Sequence, residues 1–314
     1  MKLLFITLII TLSTTIYLTY NKRYEPINID KKLRKIATKE YFETKIVELT
    51  KDKKNDEVQE MYSLAKYLNV NILNSTIKEE KSMFGLRKAK DIWSGFVYGN
   101  VDNETQFYSC IASDITLVGD IRDFTIEGKK YLKNENYNKL LLGLSSLGIV
   151  LTATSYISFG TTTSMKVGAS TLKVAVKSEK LSKPFLKIIS KKLSKTIDYT
   201  QFKKINFSSI TSIKSSFSQI KNSFHLSYIN ELIGNINHLK KNTSLYRTTK
   251  LLEYVESEKD LKKLIKLSDK YKKNSLTVMK ILGKTALNGV KYSAIFLYQI
   301  LLFLISFILF FSLF

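Results

Sequence analysis

Hydrophobic residues recur at intervals of three and four along most of the chain, which is the spacing of an amphipathic helix. Two early sets are Leu33, Ile36, Ala37, Phe42, Ile46 and Leu49, and then Val58, Met61, Tyr62, Ala65 and Leu68. They predict two helices, the second beginning at Asn55 and Asp56. Alternating patterns typical of strands are weak throughout, so the predicted fold class is all-α, with helical bodies and two or three transmembrane or membrane-embedded helices.

A third periodic stretch begins at Ser182 and Pro184, residue types that often start a helix. Its apolar residues are Phe185, Ile188, Ile189 and Leu193, and its basic residues are Lys183, Lys187, Lys191, Lys192 and Lys195. The two sets fall on different faces of a helix. The stretch therefore predicts a basic amphipathic helix.

Three further stretches have weaker patterns. Five apolar residues follow at alternating spacings of three and four, which fits either a two-heptad coiled-coil seam or a helix that faces a core: Ile210, Ile213, Phe217, Ile220 and Phe224. We favour the core-facing helix. The charge clusters between Leu251 and Leu267 predict a solvated helix. The two glycines of Trp93 to Asn103 predict a loop or short hairpin.

Three uncharged segments are candidates for membrane insertion. Leu3 to Leu18 has the layout of a signal sequence or short signal anchor, and no cleavage site is evident after it. Tyr292 to Phe314 is long enough, at 1.5 Å per residue, to span about 30 Å of hydrocarbon as a helix. We expect it to be a tail anchor or a last transmembrane helix.

The middle segment, Leu140 to Met165, is apolar but rich in small and hydroxyl residues. Gly143 and Gly148 allow close helix contacts, and the hydroxyl groups can bond to their own helix. The segment therefore fits either a membrane-embedded helix or a small-residue hairpin inside a helical bundle.

These segments predict five parts of the chain. Residues 1–20 are a signal anchor or uncleaved signal, 21–138 a helical body, 139–165 the small-residue segment, 166–291 a basic helical body, and 292–314 a C-terminal transmembrane helix.

The net charge of +23 is unevenly distributed and implies a polyanionic partner. Residues 21–138 hold 21 basic and 19 acidic side chains, whereas residues 166–291 hold 27 and 8. The positive-inside tendency predicts that the second body faces the cytoplasm and the first the periplasm, with one crossing at Leu140 to Phe159. The basic residues Lys22 and Arg23, directly after the first apolar segment, favour the reverse placement of the first body.

Residues with obvious catalytic chemistry are scarce. Cys110 is the only cysteine, so no intrachain disulfide can form, and His225 and His238 do not have metal-ligand spacing. No Gly-rich phosphate loop, His-Glu-x-x-His pair or Gly-x-Ser-x-Gly elbow is present. We therefore predict no enzyme activity and no cofactor.

Asp120, Asp123 and Glu127 are the one acidic group that could form a site. On a helix they would share a face, where carboxylates can bind a divalent ion or act as acid and base. The preferred alternative is a helix N-terminus, in which Gly119 and Asp120 end a turn and cap the helix. We assign no metal site and keep these three residues as weak candidates.

At these residues the chain resembles a known group of proteins. The blocks SDITLVGDIRDFTIEGKKYL and LLLGLSSLGIVLTATSYISFGTTTSMKVGASTLKVAVKSEKLS, about residues 113–183, look like uncharacterised bacterial membrane-associated proteins in which a Gly-Asp-x-x-Asp turn precedes a small-residue hydrophobic hairpin. They are more distantly similar to the pre-toxin linkers of bacterial polymorphic toxins. The resemblance implies a bacterial envelope setting and no particular activity.

We therefore expect a non-enzymatic scaffold or partner-binding protein of the bacterial inner membrane. Its expected partners are anionic membrane lipid and a protein, without specific nucleic-acid binding, because its lysines far outnumber its arginines and no row of stacking aromatics is present. The alternative is a membrane-active, toxin-related effector that inserts its hydrophobic hairpin into a bilayer.

Overall fold

A computed structural model describes residues 28–52, 54–72, 116–154 and 161–287, together with the isolated positions 305 and 308. The predicted N-terminal segment 1–20, most of 292–314, the stretch 93–103 and Cys110 lie outside the described residues. The all-α prediction is confirmed for the part described. Beyond one isolated bridge between Ile197 and Phe224, that part contains no strand.

Twelve α-helices account for most of the described chain. They are α1 (Ile29–Ile36), α2 (Lys39–Lys51), α3 (Asn55–Tyr67), α4 (Leu117–Leu132), α5 (Lys139–Thr154), α6 (Thr161–Lys177), α7 (Lys183–Thr196), α8 (Ile210–Gln219), α9 (Asn230–Asn242), α10 (Leu245–Leu252), α11 (Glu258–Tyr271) and α12 (Ser275–Leu282). Short 3₁₀ turns occur at Tyr199–Lys204, Lys221–Ser223, Leu226–Tyr228 and Lys272–Asn274.

The first predicted helix is two helices. α1 ends at Ile36, and Thr38 then caps α2 by accepting a hydrogen bond from the backbone N–H of Tyr41 at 3.3 Å. The periodicity of apolar residues continues across the break, which is why the pattern predicted one helix. The predicted start of α3 at Asn55 is confirmed.

The start of α7 is also confirmed. The Ser182 hydroxyl accepts from the backbone N–H of Phe185 at 3.3 Å, and Pro184 lies in the first turn, where a missing N–H costs nothing. Ser182 also donates to the carbonyl of Val255 at 2.7 Å, which ties the beginning of α7 to the chain ahead of α11.

Of two later helices, the first fits the favoured prediction and the second differs from its prediction. α8 ends at Gln219, too early for two heptads, and Phe217 is fully buried, as expected of a core-facing helix. The predicted solvated helix between Leu251 and Leu267 is divided between α10 and α11 by a turn. Its leucines are buried, because the charged residues occupy one face only: Leu251, Leu252, Leu261, Leu264 and Leu267.

Helix α5 lies at the centre of the second half of the structure. Every residue from Leu142 to Leu151 is buried, including Ser145 and Ser146, and α5 is in contact with α4, α6, α7 and α8. Three aromatic rings surround Phe124 on α4, which stacks on Phe207 and meets Phe202 and Phe217 edge-on. In the described residues, the small-residue segment thus begins a packed helical pair rather than an isolated helix.

No helix in the described ranges is both long and apolar enough to cross a membrane. The predicted crossing between the two bodies is contradicted by contacts that join them. Arg247 on α10 donates to Glu60 on α3 at 3.0 Å, and the Tyr271 hydroxyl donates to Asp30 on α1 at 2.5 Å. Helices that share partly buried polar contacts lie on the same side of any bilayer.

Close approach of α6 and α9 depends on Gly168. A Cβ added there would overlap the backbone carbonyl of Ile233 and lie 2.6 Å from the Cγ2 of that residue. Gly234, one residue further along α9, has open space around an added Cβ. Position 168 therefore has no room for a side chain, whereas position 234, close to the same helix contact, has room for one.

We expect Gly168→Ala to lower the free energy of unfolding by about 1–3 kcal/mol, since a backbone carbonyl cannot move aside without shifting a helix. Gly234→Ala, the matched control, should raise it by about 0.5–1 kcal/mol through helix propensity. Chemical denaturation followed by circular dichroism measures both. Equal effects of the two substitutions would contradict the close α6–α9 contact.

Candidate functional site

The most deeply buried charges in the described part of the chain meet between α4 and α6. The Lys173 side chain, 1% exposed, places its Nζ 2.5 Å from Oδ1 of Asp120 and 3.4 Å from Oδ2 of Asp123. Asp120 is equally buried. A buried ammonium group requires paired charges and hydrogen-bond acceptors, and the two carboxylates provide them.

Two further cations lie beside Asp123, toward the surface. Lys177 Nζ is 2.9 Å from Oδ2 of Asp123, and Arg122 donates to Oδ1 of the same residue from Nη2 at 2.8 Å. Arg122 and Lys177 are partly exposed, whereas Lys173 is not. We call these five residues the ion cluster: Asp120, Arg122, Asp123, Lys173 and Lys177.

Local sequence explains how each helix contributes to the ion cluster. Thr116 caps α4 by accepting from the N–H of Gly119 at 3.2 Å, so Asp120 lies in the first turn, near the positive end of the helix dipole. The spacing of three residues places Asp123 on the same face. Lys173 and Lys177, four residues apart on α6, meet that face.

Gly148 on α5 makes room for the Asp120 carboxylate. A Cβ added at this glycine would lie 2.6 Å from the Asp120 Cγ. Oδ2 of Asp120 receives no hydrogen bond from a described residue and lies against this glycine. Three consecutive helices, α4, α5 and α6, therefore meet at one carboxylate.

Glu127 belongs to a different arrangement. Its Oε2 accepts from the backbone N–H of Asn138 at 2.6 Å, and its Oε1 pairs with Lys130 at 3.1 Å. Asn138 in turn accepts from the N–H of Leu141 at 3.0 Å and so caps α5. Glu127 thus secures the turn from α4 to α5.

The structure consequently divides the three acidic residues that the sequence grouped. Lys173 occupies the position beside Asp120 and Asp123 where a divalent ion would be expected, and Glu127 is bonded to the backbone. Within the described ranges, no group of three or more metal-ligating side chains comes together. The predicted cap at Gly119 and Asp120 is also wrong, because α4 begins at Leu117, behind Thr116.

The two aspartates differ in their expected titration. Burial raises the pKa of Asp120 to about 6, against the opposing effect of Lys173. Burial also acts to raise the pKa of Asp123, but the hydrogen bonds from Lys177 and Arg122 outweigh it and hold that pKa below its usual value. The inner carboxylate therefore takes up a proton under milder acid than the outer one.

Sequence reasoning did not identify Lys173 or Lys177. A signal was present, because Lys173 interrupts the otherwise uncharged stretch GASTLKVAV on a small-residue helix. A charge at such a position requires a partner, and the nearest acidic residues in the preceding helices are those of α4. The pairing spans 53 residues of sequence, which spacing rules within one helix do not cover.

No family model matches the chain, and neither a curated protein nor a solved structure matches it. The resemblance to bacterial membrane-associated proteins stays a prediction. The ion cluster has a buried inner part, Asp120, Asp123 and Lys173, and holds two carboxylates against three protein cations, so its geometry is that of a bond between helices.

We expect Lys173→Met to lower the free energy of unfolding by about 3–5 kcal/mol, because it leaves two buried carboxylates without their shared cation. Adding Asp120→Asn should recover part of that loss. Lys39→Met is the matched control, because its pair with Glu43 is exposed on both sides, and it should cost less than about 1 kcal/mol. Strict additivity of Lys173→Met and Asp120→Asn in denaturant melts would contradict a direct pairing.

The pKa of Asp120 predicts a pH dependence. Because its pKa is about 6 in the folded chain and 3.8 in the unfolded one, the folded state holds more protons between these values. The contribution of Asp120 to stability therefore falls as pH rises through this window. Asp120→Asn should remove that slope, and carboxyl carbon NMR should show a midpoint near 6 for Asp120. A midpoint below 4 would be inconsistent with its burial.

Proposed function

We propose that this protein is a non-enzymatic scaffold or partner-binding protein of the bacterial inner membrane, held there by its apolar segments 3–18 and 292–314. The observation that carries the proposal is the run of twenty-three uncharged residues from Tyr292 to Phe314, which begins five residues after Leu287, where the last continuous described range ends. An uncharged run of this length suits a helix that spans a bilayer.

The packing of the two helix groups changes the expected topology. Because α1 and α3 contact α10, α11 and α12, the charges of both groups belong to one side of the membrane. Lys22 and Arg23 follow the first apolar segment, and Lys284 and Lys291 precede the last. Under the positive-inside tendency all of them favour a cytoplasmic helical body. A crossing at Leu140 to Phe159 would have required the basic residues Lys22 and Arg23 to lie in the periplasm. A single cytoplasmic body does not require this.

The proposed body binds an unidentified protein partner and anionic lipid. Lysine is its dominant cation: residues 166–291 contain 27 basic side chains, of which Arg247 is the single arginine. Compact, strongly hydrated ammonium groups suit attraction to lipid headgroups better than base reading.

A second candidate is a membrane-active effector that inserts its small-residue hairpin. The burial of Leu142 to Leu151 beneath α4, with the ion cluster at its side, favours it, because an apolar helix is held inside a polar body. In this candidate the hairpin leaves the body before it enters a bilayer. Release of dye from anionic vesicles by added full-length protein would support it over the scaffold.

The anchoring segments predict the behaviour of the chain in alkaline carbonate. Wild-type protein should remain in the membrane pellet. A variant carrying Ile9→Arg, Leu302→Arg and Ile305→Arg should be released, since an arginine at the centre of a membrane helix costs about 2.5–3.5 kcal/mol.

Ile210→Arg provides the control, because this side chain is 52% exposed on the helical body. It adds the same group without touching either apolar segment and should leave the protein in the pellet. Release of the wild-type chain would contradict membrane anchoring.

A further inference from the structure

Helix α7 presents a row of four lysines on its outer face. Lys183, Lys187, Lys191 and Lys195 follow at intervals of four and are all exposed. At about 100° per residue, this spacing turns the row by about 40° at each step, so it stays on one side of the helix. The opposite side is buried: Phe185, Ile189, Leu193 and Thr196.

The lysine row lacks compensating charge. Among the described residues, no carboxylate forms an ion pair with any of the four, whereas the neighbouring Lys192 pairs with Glu258 at 3.2 Å. Between positions 183 and 228 the chain holds nine lysines and a single acidic residue, Asp198, whose carboxylate accepts from Thr200 and Gln201. Like charges four residues apart destabilise a helix, so the row does not serve the stability of α7.

An exposed aromatic ring lies beside the row. Tyr228 is 49% exposed, and the Nζ of Lys195 is 5.8 Å from its ring centroid. Tyrosine has an apolar body and a polar tip, the combination that is enriched where protein meets the headgroup layer. The ring and the lysine row together form what we call the α7 face.

The α7 face fits a flat anionic surface better than a nucleic acid. Its row runs along about 18 Å of a straight helix and contains no arginine and one ring. Base recognition relies on arginine and polar side chains in a groove, and single-strand binding on several stacking rings. A two-dimensional array of phosphate headgroups needs neither.

We propose that the α7 face rests on the anionic headgroups of the membrane that holds the chain, with α7 parallel to the bilayer. The inference rests on the proposed membrane anchoring and adds the surface by which the helical body is oriented. The side of the helical body opposite α7 then faces the aqueous compartment, where it is accessible to a protein partner.

A spin label tests this placement on the full chain. In a Cys110→Ser background, Ser194→Cys places a nitroxide among the lysines, and Val47→Cys places a control label on exposed α2. The protein is reconstituted in nanodiscs of phosphatidylcholine, alone or mixed with phosphatidylglycerol. We expect the anionic lipid to protect the label at position 194, but not that at 47, from collisions with a water-soluble nickel complex.

Lysine substitutions then distinguish lipid binding by the α7 face from the general attraction of a basic protein to anionic lipid. Replacing Lys183, Lys187, Lys191 and Lys195 by Gln should shift the docked-to-undocked ratio by about a thousand-fold, corresponding to about 1 kcal/mol per lysine. The matched control replaces four exposed lysines that make no ion pair with a described residue, Lys241, Lys259, Lys266 and Lys273. It removes the same charge and should retain protection. Protection in the parent chain should also weaken at high salt.

Three results would overturn the inference. They are equal nickel access in neutral and anionic discs, equal loss of protection in the two four-lysine variants, and protection of position 194 by duplex DNA in neutral discs without protection by anionic lipid. If carbonate releases the chain, anchoring fails separately. Sedimentation of the full chain with anionic vesicles then tests the α7 face directly, and no difference between the two variants would overturn it.

Discussion

The burial of the Lys173 ammonium group is the constraint on which the second half of the structure depends. An unpaired charge at that depth would cost several kcal/mol, so α6 is stable in its position only with the α4 carboxylates beside it. The Asp120 carboxylate in turn requires a glycine at position 148 of α5. One ion pair therefore sets the mutual position of three helices that hydrophobic burial, which is not directional, would leave free to slide.

Several hydroxyl groups of α5 and α6 lie in this interior because they donate to carbonyls of their own helices. Ser146 donates to the carbonyl of Gly143 at 2.9 Å, and Thr152 donates to that of Gly148 at 2.9 Å. Thr171 on α6 donates in the same way to the carbonyl of Val167. These three hydroxyls are satisfied within their own helices and so can face apolar surroundings, whereas the buried Ser145 hydroxyl makes no hydrogen bond with a described residue.

Hydrogen bonds made within a helix limit what the sequence could predict. A helix whose polar groups bond internally suits both a protein core and a bilayer, so the pattern of Leu140 to Met165 left both open. Local signals performed better: Ser182 marked a helix start because a cap acts within three residues, and α3 begins at Asn55 as predicted, although no side chain caps it. The caps at Thr38 and Thr116 were missed because the apolar periodicity runs past one of them and Gly119 resembles a turn at the other. Lys173 was missed because its partners lie on another helix.

The placement of charge also follows from how the helices join. Buried cations in this body lie against carboxylates, as Lys173 does against Asp120 and Asp123 and Arg247 against Glu60, whereas no described carboxylate pairs with the outer lysines of α7. These carboxylates come from α3 and α4, and residues 166–291 themselves hold only 8 acidic side chains against 27 basic ones. The surplus of positive charge must therefore lie on the surface, and on α7 it is aligned on the side opposite the core. Four aligned lysines without a paired carboxylate repel one another and destabilise α7 in the free protein. An external polyanion that lies against the row offsets this repulsion.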